Sequence, residues 1–186
     1  MRPEGLSIYE AWALALEAAD TPYVANLNLD DRLNPDAVAI FERVLDDGAD
    51  LVGGDWQICF SQAETDAVAR SQEATALPFD PAWPPRPGKP VRLGSGLGER
   101  GTLGPACAWR RDLHRQIRGF PTRFGDGSPV RVIGDALWWR LVSEAGRAVK
   151  RLPILLGRYH SHPEGQAEFR TPAEAEEDCY RRHGLG

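Results

Sequence analysis

Cysteine is scarce in this 186-residue sequence, and the three that occur, Cys59, Cys107 and Cys179, are odd in number and far apart. They build neither a disulfide framework nor a Cys-x-x-Cys metal pair, so a reducing, cytoplasmic setting is the expectation. A basic excess is lacking too: 27 acidic residues stand against 22 basic ones, a formal net charge of -5. That leaves no electrostatic footprint for a phosphate backbone and excludes nucleic acid as a main partner. No long hydrophobic run occurs. The most apolar segment, Ala11 to Ala19, is interrupted by Glu17, so neither a signal peptide nor a membrane span is expected. Gly94-Ser95-Gly96-Leu97-Gly98 has no Lys-Ser/Thr ending, and Ser7, Ser61 and Ser95 lack the glycine pattern of a nucleophile elbow. Phosphate-loop and serine-nucleophile chemistry are therefore poorly supported.

What is present suits a globular chain. A composition of 42% hydrophobic and 26% charged residues supports a single folded domain over 1–186. Ala-rich spacing predicts a helix over Ile8 to Ala19, stopped by Asp20-Thr21-Pro22. Tyr23 to Leu29 alternates as a strand, and Asn34-Pro35 starts a helix running to Asp47. Asp50 to Ile58 returns as a strand. This strand, helix, strand unit predicts an α/β fold with a mixed, mainly parallel sheet flanked by helices. Seven of the 15 prolines and six of the 19 glycines fall between Pro78 and Pro105, so 78–105 is expected to be a long loop or lid, although composition alone fits a linker between two domains equally well. Beyond it, helices are expected over Ala108 to Ile117 and Asp135 to Ala145, then a strand over Arg147 to Leu156 broken at Pro153. Thr171, Pro172 and Glu174 announce a terminal helix, with Arg181, Arg182 and His183 at its carboxyl end.

Three places could carry chemistry. Asp30 and Asp31 fall at the carboxyl end of a predicted strand, where ligands of open α/β sheets bind, although aspartates also start ordinary turns. Asp135 caps a helix, and the positive end of the dipole favours the charged carboxylate, which can accept a proton. His160 and His162 alternate on one probable strand, so both imidazoles point the same way; a two-histidine metal site and a pair of surface histidines both fit.

The order of these motifs resembles the second half of a family 2 glycosyltransferase of the A-type, nucleotide-diphospho-sugar fold, a Rossmann-like arrangement. Gly5-Leu6-Ser7-Ile8-Tyr9-Glu10-Ala11-Trp12 with Thr21-Pro22-Tyr23-Val24 is similar to the family's approach to its metal motif, and Asn28-Leu29-Asp30-Asp31-Arg32 resembles that motif. Gly104 to Arg111 with Ile117-Arg118-Gly119-Phe120 is similar to the acceptor-side segment. Ile133 to Leu141 resembles the helix of the catalytic base, followed by Gly157-Arg158-Tyr159-His160-Ser161-His162.

The resemblance implies that Asp31, Asp30 and His162 hold Mg2+ or Mn2+, that Asp30 and Asn28 contact the donor, and that Asp135 deprotonates an acceptor hydroxyl. Asn28 stands where many relatives carry an aspartate. The implied partners are a nucleotide-sugar donor and a glycan or other hydroxyl acceptor. Nothing before Gly5 corresponds to the family's nucleotide-binding strands, so an amino-terminally truncated domain is expected, with a sheet edge open to a second copy or a partner chain. A non-catalytic fragment or binding module of the same fold is the alternative, and a His/Asp metal hydrolase built on His160, His162 and Asp135 is a third.

Overall fold

Local capping begins the fold. Ser7 Oγ accepts from the Glu10 amide at 3.2 Å while Glu10 Oε2 accepts from the Ser7 amide at 2.8 Å. This reciprocal box opens helix α1 (Ile8–Ala18), as its spacing predicts. In the computed structural model, the described residues are 5–67, 71–73, 77, 91–93, 103–164 and 166–186. Strand β1 (Tyr23–Ala25) is shorter than expected. Asn26 leaves the ladder because its side chain binds the Pro105 carbonyl and the Cys107 amide.

After β2 (Arg32–Leu33) comes helix α2 (Ala37–Asp46), whose N-cap is Asp36 instead of Asn34. The Asn34 amide donates to the Leu155 carbonyl at 2.9 Å and so ties the loop to another strand. Strand β3 (Leu51–Cys59) is almost wholly buried and leads into the short helix α3 (Gln62–Asp66). Two small strands follow, β4 (Gln72–Glu73) and β5 (Val91–Leu93). The expected loop over 78–105 lies largely outside the described residues; β5 and residues 103–105 are its described parts. Gly104 has φ +77, and a Cβ there would meet the Trp56 ring, so this position requires glycine.

Ala108 to Arg110 forms strand β6 where a helix was expected, and helix α4 covers only Arg111–Gln116. Tertiary pairing overrides local preference here, because Trp109 and Ala108 pair on both sides with β1 and β3. Helix α5 (Gly134–Glu144), strand β7 (Val149–His160) and helix α6 (Ala173–His183) complete the chain. Pro153 does not break β7: two extra residues enter between the partners of Gly54 and Asp55, and Pro153 lies in that bulge.

The sheet has the order β1-β6-β3-β7-β2, with β4 added to β7 and β5 to β3. It is mixed, as expected, but not mainly parallel. Among the described residues only β3 and β7 run parallel; the other five pairings are antiparallel. The strand, helix, strand unit does give β1 and β3 the same direction. They are not neighbours, because β6 inserts between them in the opposite sense. Among the described residues no strand pairs with the outer side of β1.

An aromatic core lies between α1, α5 and the sheet. Trp138 stacks at 4.9 Å from Phe120 and 5.1 Å from Trp109, and Tyr9 and Trp12 close the cluster. A second cluster packs Phe41 and Leu45 of α2 on Val52 and Leu156. No helix among the described residues is long and apolar enough to cross a membrane.

Candidate metal and proton-transfer site

The segment 26–31 leaves β1 and carries three of the predicted residues. One end is held beside Cys107 through Asn26, and the other beside His160 through Asp31. The two adjacent aspartates are separated in role by burial. Asp31 is 2% exposed; its Oδ1 accepts from the His160 amide at 3.1 Å and its Oδ2 from the Asn28 side chain at 3.2 Å. Asn28 therefore serves Asp31, and both brace the turn.

Asp30 projects to the open side, where its Oδ2 lies 3.0 Å from His162 Nε2. The His160 and His162 rings are 4.9 Å apart. Ligand atoms of Asp30, His160 and His162 all lie within 4.8 Å of one another, a group drawn from the end of β7 and the turn after β1. Gln166 locks the corner: its Oε1 accepts from the His162 amide at 3.0 Å and its Nε2 donates to the His160 carbonyl at 2.6 Å. Of the metal set implied by the resemblance, Asp30 and His162 come together here. The third member of this group is His160, and Asp31 lies behind it with its oxygens engaged. One carboxylate and two imidazoles form a mixed donor set; imidazole nitrogen suits Mn2+ and later transition ions better than Mg2+, which prefers oxygen throughout.

Asp135 belongs to a second cluster. It sits in the first turn of α5, not at the N-cap, and its Oδ1 accepts from the Ala136 amide at 2.8 Å. The Tyr9 hydroxyl donates to the Val132 carbonyl at 2.8 Å and stands 3.5 Å from Asp135 Oδ1. Burial first, then the Asp135 charge, holds the Tyr9 hydroxyl well above its ordinary range, so it keeps its proton for the Val132 carbonyl. Glu176, from α6 and 5% exposed, accepts from the backbone amides of Arg131, Val132 and Ile133 at 2.8, 3.0 and 3.1 Å. A Cβ on Gly134 would lie 2.6 Å from the Tyr9 ring, so the aromatic ring and the helix start fit only with glycine there.

The two clusters are joined through Cys107. Burial and the Asp135 charge raise its thiol pKa, while its backbone amide and thiol both engage Asn26, where the 26–31 segment begins. A separate pocket of about 420 Å³ is lined by Arg118, Phe120, Thr122, Arg123 and Leu141. It takes in the end of the acceptor-like segment and none of the predicted site residues. Arg118 is the non-glycine residue with positive φ, +60, and its guanidinium donates to the Gly186 carbonyl at 2.6 Å.

Local sequence did not single out Tyr9, Gln166 or Glu176. Their partners lie 123, 6 and about 44 positions away; for Glu176 the only hint was an acidic residue in the first turn of a helix. No family model matches this chain, and no curated protein matches it.

Proposed function

We propose that this chain is the catalytic portion of a metal-dependent, inverting glycosyltransferase that moves a sugar from a nucleotide-diphospho-sugar to an acceptor hydroxyl. The observation that carries this reading is the meeting of Asp30, His160 and His162, whose ligand atoms lie within 4.8 Å although the aspartate is about 130 residues away in sequence. Among the described residues no strand pairs with the outer side of β1, an edge that can pair with another chain.

Asp30, His160 and His162 would hold a divalent cation, with Mn2+ favoured by the donor set. Such a cation, when bound, neutralises charge developing on the departing diphosphate. Asp135, kept ionised by the positive end of α5, takes the proton of the acceptor hydroxyl. The hydroxyl oxygen bonds to the anomeric carbon as that carbon's bond to the diphosphate oxygen breaks, and the electron pair leaves with the diphosphate. One displacement inverts the anomeric centre. Tyr9 and Glu176 hold the backbone that presents Asp135, and Gln166 holds the two histidines.

Calorimetric titration with MnCl2, then with UDP and GDP, tests the reading. Wild type should bind Mn2+ and, in its presence, one of the nucleotides; Asp30→Ala should lose both. Mn2+ binding without any nucleotide response would favour a metal hydrolase, and no binding at all a non-catalytic module.

A further inference from the structure

Arg158 is a charged residue beside the cation group in the chain. It lies on β7 two residues before His160, so the two side chains leave the same face of the strand. Its side of the sheet is shared with Gln57 and Cys59 of β3, the register partners of Arg158 and His160. The residue is only 9% exposed. Its Nε finds no hydrogen-bond partner and, among the described residues, no carboxylate forms an ion pair with it.

That state is costly, because a buried cation without a counter-charge loses its hydration for no return. The surroundings add to the cost. Arg32 stands directly opposite Arg158 across the β2–β7 pair, and like charges in register repel. Arg32 has its own partner, Asp66, at 2.8 Å. Elsewhere in the sheet two arginines are matched: Arg92 of β5 and Arg151 of β7 both pair with the buried Asp55. The unmatched one is beside the cation group.

We propose that Arg158 is the anion-recognising residue of this centre, its guanidinium taking a phosphate oxygen of the metal-bound diphosphate. The choice of a diphosphate rests on the transferase reading above. Guanidinium suits the task, since its planar fork meets phosphate oxygens with two parallel hydrogen bonds. A ligand supplying that oxyanion removes the uncompensated charge, so binding gains from a cost already present in the free protein.

Inorganic pyrophosphate is the probe, titrated into the full chain with and without MnCl2 for wild type, Arg158→Gln, Arg158→Lys and Arg158→Met. Arg158→Gln should leave Mn2+ affinity unchanged and weaken pyrophosphate by about tenfold to a hundredfold, the range of one charge-assisted hydrogen bond. Arg158→Lys, which keeps the charge and loses the fork, should fall between. Unfolding midpoints without ligand separate this role from a structural one: Arg158→Met should equal or exceed wild type, because an unpaired buried cation is replaced by an apolar chain. Equal pyrophosphate affinity in wild type and Arg158→Gln would overturn the assignment while leaving the cation centre intact. A lowered Arg158→Met midpoint with unchanged pyrophosphate binding in Arg158→Lys would make the residue structural. If wild type binds no Mn2+ yet binds pyrophosphate, and Arg158→Gln does not, the cation reading fails and Arg158 keeps its anion role. Absence of pyrophosphate binding to wild type under both conditions overturns the proposal.

Discussion

Asp30 and Asp31 are chemically identical neighbours with opposite environments, and the difference makes a sharp prediction. Asp31→Ala leaves the His160 amide and the Asn28 side chain without their acceptor. Urea denaturation should show a loss of about 2 kcal/mol, the scale of a buried group left unpaired. Asp30→Ala, at a half-exposed position, should change stability by less than about 0.5 kcal/mol and be felt in Mn2+ affinity instead. Equal stability of the two variants would refute this division. His114 gives a pH dependence. It is half-buried between Phe120 and Trp138, at 5.6 and 5.9 Å, and burial lowers its pKa. The unfolded chain therefore binds a proton that the folded one refuses. Its contribution to stability is complete above the unfolded value of about 6.5 and falls as pH drops through that value toward the lower folded one. Melting midpoints between about pH 7.5 and 5 should decline, and His114→Gln should flatten the slope.

Among the elements, the start of α5 is the most tightly specified. No side chain caps it; Glu176 from α6 takes the three preceding amides, and Tyr9 from α1 takes the Val132 carbonyl. Glu176→Ala leaves three amides without their acceptor and should cost about 3 kcal/mol or more, while Glu176→Gln keeps one acceptor oxygen and should cost less. Thermal unfolding of both variants measures this, and parity between them would mean that water replaces the carboxylate. Helix existence was well read from the sequence: α1, α2, α5 and α6 occur where spacing puts them, with ends shifted by one or two residues, although the side-chain caps expected from Asn34, Asp135 and Thr171 do not form. Short strands were not. Ala108 to Arg110 has helical composition, and only pairing with β1 and β3 makes it β6. Pro153 looked like a strand end because proline lacks a donor, yet a bulge admits it.

At the scale of the molecule, the insertion of β6 between β1 and β3 decides the mixed sheet and carries Cys107 to the point where the segment 26–31 begins. Alternation, helical spacing and cap residues are local quantities, and they sufficed for an α/β chain with an aspartate at a helix start; β1 ends at Ala25, so Asp30 and Asp31 lie in the turn beyond it, and β7 ends at His160, so His162 lies past the strand. Which aspartate faces the histidines, which arginines meet a carboxylate among the described residues, and how Tyr9 and Glu176 reach the start of α5 depend on contacts between residues tens to more than a hundred positions apart. Sequence spacing carries the identity of such donors but not their distances, because burial and register are set only when the sheet closes and each side chain meets its partner.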